Sequence, residues 1–381
     1  MNQEKEKLTL DSPENQIRVV IIFPYSGFNT KNFSGQELVN QENRRRNFER
    51  LVKACSLFRP LVVLNKDTVN RKSPKNADEF FQLYAKEEDK KKETFQATIS
   101  ADQESYSFDV YQVWSVDTCQ MWLAGWGHLI DQLEKNLQSL ENYRIVQIPG
   151  DLDTVGNSEE FFTQIIQDFI GKNSADILIG DYTSETEFST KNIIDIYGVF
   201  PLLSNWFPEV SDYIIKNKIR KPRSEFLNLK MSVLKKLLQY PKFAYEQTLN
   251  MIISLGYCLE YEDIQGEKER SLIKEIEAIK NPWDKPFLLG DRHQVEKLDL
   301  GQIKDDPGFR DIQSCFDQIE RTERLLKRLW RQLFFPSQAS DEKQQYRKFL
   351  DEYDRRIQRS EAIIETARIM IRTFIGTEFN L

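Results

Sequence analysis

Ile17-Arg18-Val19-Val20-Ile21-Ile22-Phe23-Pro24-Tyr25, followed by Ser26-Gly27, is the stretch on which the fold turns. It is rich in β-branched residues, too short for a buried helix, and closed by Pro and Gly, so it predicts a strand covered on both faces that ends in a turn. Downstream, Asn40 to Leu57 carries Phe48, Leu51, Val52 and Cys55 at helical spacing, and Arg59-Pro60-Leu61-Val62-Val63-Leu64-Asn65 predicts a second strand. A strand, a helix and a strand in this order open a β-α-β layer, because parallel strands need a long crossover between them.

The alternation resumes farther along. Ser107 to Trp114 predicts a strand, Cys119 to Leu137 a helix, Tyr143 to Ile148 a strand, Glu159 to Ile170 a helix and Ala175 to Gly180 a strand. The fold class is therefore α/β, with a mostly parallel, Rossmann-like sheet flanked by helices, and its ligand crevice belongs at the carboxyl ends of the strands. Between the two blocks, residues 66–104 are polar, and Lys86 to Glu93 (KEEDKKKE) reads as a solvated helix or loop.

From Phe309 the periodicity changes. Ile312, Cys315, Phe316 and Ile319, then Leu325, Leu326, Leu329 and Trp330, recur at three- and four-residue steps, and Tyr346, Phe349, Leu350, Tyr353 and Ile357 begin a second stripe that runs to Phe374. Two long amphipathic helices are expected, broken by FFPSQAS at 334–340 as in an αα-hairpin. They read as a C-terminal α-helical appendage on the sheet domain, with homodimerisation as the sharper alternative. The expected organisation is a flexible arm at 1–16, the α/β domain at 17–300 and the helical hairpin region at 301–381.

Composition narrows the function classes. The chain has 381 residues, 40% hydrophobic, with a formal charge of −7, which describes a folded globular protein and argues against broad nucleic-acid binding. The four cysteines (Cys55, Cys119, Cys258, Cys315) form no CxxC and fit a reduced chain without a disulfide framework. No apolar leader and no transmembrane stretch is legible, so a cytoplasmic protein is expected. The mixed charge of ERTERLLKRLWRQ in the first C-terminal helix suits either partner packing or contact with a surface. Serine nucleophile chemistry has little support, since there is no GxSxG and only two histidines.

The chemistry-bearing segment is Ile148-Pro149-Gly150-Asp151-Leu152-Asp153. Two carboxylates at i and i+2 directly after a strand can present oxygen ligands to a divalent cation that also holds a diphosphate; an ordinary Asp-rich turn has the same spelling. Asp181, in Ile179-Gly180-Asp181-Tyr182, reads as a second crevice residue or as a turn. His293, in Leu288-Leu289-Gly290-Asp291-Arg292-His293-Gln294, reads as an imidazole ligand to a metal or as a surface-loop histidine, whereas His128 inside a helix reads as a packed or capping residue with no role. Lys216 to Arg223 (KNKIRKPR) places five cations in eight residues, suited to an anionic acceptor or, for the lysines, to a solvated helix end, with Arg223 stiffened by Pro222.

The order of the later pieces carries a resemblance. Lys191 to Leu203 (KNIIDIYGVFPLL) is followed by Trp206-Phe207-Pro208-Glu209, by Pro222-Arg223-Ser224-Glu225-Phe226-Leu227, and by Phe243-Ala244-Tyr245-Glu246-Gln247-Thr248. Together with the DxD pair this order resembles the GT-A-type nucleotide-diphospho-sugar glycosyltransferases, more closely the glucosyl-3-phosphoglycerate synthase and mannosylglycerate synthase group. The resemblance covers about Tyr143 to Gln294. It implies a GT-A-like domain, a Mg or Mn ion held by Asp151, Asp153 and His293, and a nucleotide-diphosphate sugar donor bound by Pro24, Asp151 and Asp153. It further implies an acceptor loop of Arg223, Ser224 and Glu225, catalytic roles for Glu225 and Glu246, and hexose transfer with retention to a small anionic acceptor such as glycerate or phosphoglycerate. The chain departs from the group's pattern at FPYSG after the first strand, at Trp114 to His128, which lacks Gly-Lys-Gly, and in the charged insertion between Glu246 and His293. The competing readings are a catalytically degenerate scaffold and, with less support, a sugar nucleotidyltransferase, for which no Gly-rich, Lys-bearing phosphate loop follows the first strand.

Overall fold

The computed structural model describes residues 17–23, 36–65, 76–101, 104–113, 118–136, 140, 143–150, 159–171, 176–184, 193–216, 218–220, 224–238, 295–303, 312–334 and 343–378. In chain order the elements are β1 (Ile17–Phe23), α1 (Gln36–Ala54), β2 (Leu61–Asn65), α2 (Asn76–Tyr84), β3 (Thr94–Ala101), β4 (Glu104–Val113), α3 (Thr118–Asn136), β5 (Arg144–Pro149), α4 (Glu159–Gly171) and β6 (Ile177–Ser184). A π-helical turn at Asp195–Val199 leads into α5 (Phe200–Trp206), followed by α6 (Pro208–Lys216), β7 (Leu227–Lys230), α7 (Met231–Leu238), β8 (Val295–Ile303), α8 (Ile312–Phe334) and α9 (Lys343–Glu378).

The described residues fall in two compact units. One is drawn from Met1–Tyr182, Ser224–Leu238 and Gln294–Asp305, the other from Thr183–Arg223, Gln239–His293 and Asp306–Leu381.

The first unit is built on an eight-stranded sheet in the order β3-β4-β2-β1-β5-β7-β6-β8. β1 pairs parallel with both β2 and β5, and β2 parallel with β4. β3 is antiparallel to β4, and β7 is antiparallel to both β5 and β6. The α/β class and the mostly parallel sheet are as expected. The two reversed strands are not: both fall where the sequence reads as polar or as loop. β3 nevertheless buries Phe95, Ala97 and Ile99 on alternate positions, the period of a half-buried edge strand. Lys86 to Glu93 is a short, largely solvated helix at Glu87–Lys91, as expected, with Asp89 turned inward. Its buried Asp89 accepts from the Lys86 backbone N–H at 3.0 Å and from Lys92 Nζ at 2.7 Å.

Central strands are buried on both faces, which is why β1 and β2 read as continuous apolar runs. Val19, Ile21, Val62, Leu64, Val146 and Ile148 share one core with α1, α2 and α4, where Phe48 lies 6.0 Å from Phe80 and 5.9 Å from Phe108, ring to ring. α3 covers the opposite face. Gly125 sits so close to β2 that a Cβ there would meet Val63 Cγ2 at 2.4 Å, and the flanking Trp122 and Trp126 are buried. Cys55 and Cys315 are buried and in no disulfide, and burial pushes the Cys55 thiol well above its ordinary range.

The second unit is helical. The apolar sides of α5 and α6 (Leu202, Leu203, Trp206, Val210, Ile214) are buried in one cluster with Phe316, Ile319, Leu326 and Trp330 of α8 and Phe349, Ala367 and Ile371 of α9. Trp330 is the hub, 5.8 Å from Trp206, 5.3 Å from Phe349 and 5.9 Å from Tyr353 between ring centroids. The compact units thus divide elsewhere than at 300/301. Residues 193–216 belong with the C-terminal helices, because their apolar faces are completed there. The two amphipathic helices themselves stand as expected, at 312–334 and 343–378.

Candidate functional site

A doubly wound sheet opens its crevice where the connections leave neighbouring strands in opposite directions. Here that point lies between β1 and β5: the chain moves from β1 outward to β2 and β4, then returns to the other side of β1 as β5. Gly150, the residue after β5, is buried there and donates its N–H to the Ile22 carbonyl at 2.7 Å. In sequence, Gly150 is followed directly by Asp151-Leu152-Asp153. Asp151, Asp153, Pro24, Arg223, Glu246 and His293 lie outside the described residues. Among the described residues there is no group of three or more His, Cys, Asp or Glu side chains able to hold a metal ion.

Ser224 and Glu225 are described, and the sheet sets their position. Leu227 of β7 pairs with Gln147 of β5 on one side and Ile179 of β6 on the other. Continuing both registers by two residues brings Glu225 opposite Pro149, at the carboxyl end of β5, and opposite Asp181 within β6. Reversal of β7 is what does this, since its amino end meets the carboxyl ends of its neighbours.

Hydrogen bonds hold the segment in place. Gln147 Nε2 donates to the Glu225 carbonyl at 3.3 Å, the Gly180 N–H donates to the Phe226 carbonyl at 2.8 Å, and Ser224 Oγ accepts from the Phe226 N–H at 3.2 Å. Ser224 is buried, with its hydroxyl spent on this local turn, while Glu225 keeps a half-exposed side chain. Farther along β7, Arg144 Nε donates to Asn228 Oδ1 at 2.7 Å, and Asn228 Nδ2 donates to the Phe169 carbonyl at 2.6 Å. Burial pulls the Arg144 guanidinium down from its ordinary value, with Asp176 opposing.

Asp181 is not a turn residue. It lies within β6 and is fully buried. His128 is packed, as expected: its ring stacks on Tyr111 at 4.1 Å with 7° between planes, and its Nε2 lies 2.8 Å from Gln132 Nε2. Burial lowers its pKa below the ordinary value, with Glu93 and Asp131 opposing.

Three buried polar residues at or behind this edge were not singled out from the sequence: Asn65 at the end of β2, Gln147 and Asn228. The available signal was the polar residue itself, standing in an otherwise apolar strand, since a buried amide must find partners.

No protein-family model matches the chain, and no curated protein matches it in sequence.

Proposed function

We propose that the chain is a metal-dependent glycosyltransferase of GT-A type. It moves a hexose from a nucleotide-diphosphate sugar to a small anionic acceptor such as glycerate or phosphoglycerate. The observation that carries this reading is the place of Gly150 beside Ile22 at the switch between β1 and β5, with the acidic pair Asp151 and Asp153 next in sequence. The reversed β7, which puts Glu225 on the same edge, supports it further.

Two carboxylates and an imidazole make a donor set suited to Mn²⁺ or Mg²⁺, so Asp151, Asp153 and His293 are the residues that would hold the ion. Bound there, the ion would neutralise charge on the departing diphosphate. In the transfer, an acceptor hydroxyl oxygen bonds to the anomeric carbon as the bond from that carbon to the diphosphate oxygen breaks. Glu225 and Glu246 orient the acceptor and take up its proton, and Arg223 holds its anionic group. Pro24 is the remaining residue assigned to nucleotide binding. Retention of configuration is the outcome implied by the resemblance.

The test is thermal-shift and calorimetric titration with UDP, GDP and their sugars, with and without Mn²⁺ or Mg²⁺, on the wild type and on Asp153→Ala. Metal-dependent stabilisation by one nucleotide is expected, about 2.7 kcal/mol at a hundredfold excess over Kd, and lost in the variant. Equal, absent responses in both proteins overturn the donor site and leave a GT-A-like scaffold as the better reading.

A further inference from the structure

α8 is amphipathic in an unusual way. Thr322, Glu323, Leu326 and Trp330 are buried on its inner side. From Arg321 to Arg331, every residue described as exposed is an arginine: Arg321, Arg324, Arg328 and Arg331. Steps of three, four and three residues place the four on one stripe about 15 Å long. The stripe stands on a chain whose formal charge is −7. α9 differs, since its exposed positions alternate in sign, with Arg347, Lys348, Arg355 and Arg359 interspersed with Asp351, Asp354 and Glu361.

We propose that this arginine stripe is a docking surface for an anionic phospholipid membrane. The buried apolar residues Phe316, Ile319, Leu326 and Trp330 of α8 are committed to the aromatic cluster, and among the described residues the exposed side offers charge for binding. Guanidinium groups pair bidentately with phosphate, and a row of them along one side of a helix meets an array of lipid headgroups without any change of fold. A nucleic acid fits less well, because the stripe carries no aromatic platform for bases and is the side of a helix rather than an end aimed into a groove. Two exposed apolar side chains, Tyr346 and Leu350, lie one turn apart on α9 on either side of Phe349 in the chain, and Phe349 stacks on Trp330. No described helix is long and apolar enough to cross a membrane, so the association proposed is peripheral.

The experiment is co-sedimentation of the full chain with vesicles of pure phosphatidylcholine and of phosphatidylcholine mixed with phosphatidylglycerol, at low and at physiological salt. Exchanging all four arginines for Gln keeps helix propensity nearly unchanged. A control exchanges Arg347, Lys348, Arg355 and Arg359 for Gln, removing the same charge from α9. Binding only to the anionic vesicles, weakened by salt, is expected, with a drop of about tenfold or more for each pair of α8 arginines removed and a smaller drop in the control. Equal losses in both variants, or no binding to anionic vesicles by a wild type whose far-UV spectrum and melting are intact, overturn the proposal. So does stripe-dependent binding to a DNA or RNA oligonucleotide without vesicle binding.

Discussion

Arg144 and Asn228 meet across the antiparallel β5–β7 pair, with Nε donating to Oδ1 at 2.7 Å, in a place where both side chains are buried. Asn228 also caps the carbonyl of Phe169 at the end of α4, so one amide ties β7 to its neighbouring strand and to a helix. Asn228→Ala leaves a buried guanidinium and a buried carbonyl without this partner. A loss of about 1–3 kcal/mol in urea unfolding is expected, because a buried hydrogen bond to a charged group is removed. A loss below about 0.5 kcal/mol would show that water reaches the pair.

Glu225 stands three residues before Asn228, and under the proposed function it acts on the acceptor and not on the nucleotide. Glu225→Gln should lower turnover by about 10²–10⁴-fold while leaving metal-dependent stabilisation by the nucleotide unchanged. Coupled loss of nucleotide stabilisation would move Glu225 into the donor site.

Two glycines two positions apart in α3 should respond with opposite signs. A Cβ on Gly125 would strike Val63 Cγ2 at 2.4 Å, whereas a Cβ on Gly127 meets nothing within 4 Å. Gly125→Ala is expected to cost about 1–3 kcal/mol through overpacking. Gly127→Ala should gain about 0.5–1 kcal/mol through helix propensity. Thermal melts of the two variants check the pair, and a shift in the same direction for both would contradict the packing described.

The packed His128 predicts a pH dependence. Burial disfavours its protonated form, and Glu93 and Asp131 only partly offset this. The folded chain therefore binds fewer protons here than the unfolded chain, whose histidine titrates near about 6.5. Stability should be full above that value and fall as the pH drops below it. His128→Phe, which can still stack on Tyr111, should flatten this slope in denaturant titrations between about pH 7 and 5. An unchanged slope would assign it to other groups.

Strand β1, the crossover helix α1, strand β2 and the two C-terminal helices were legible because each carries its own period of apolar residues, and burial of a stripe or of both faces leaves that mark locally. The same local signal placed an acidic pair directly after β5. What the local pattern does not hold is pairing. Nothing in Leu227-Asn228-Leu229-Lys230 says that it inserts, reversed, between β5 and β6. That arrangement brings Glu225 to the edge where Gly150 meets Ile22. Register and strand direction arise from hydrogen bonds between segments about fifty and about eighty residues apart along the chain and become definite only when both partners are in place. Residues 193–216 make the same point for the core: their apolar faces were visible in the sequence, but the helices that bury them lie more than a hundred residues downstream.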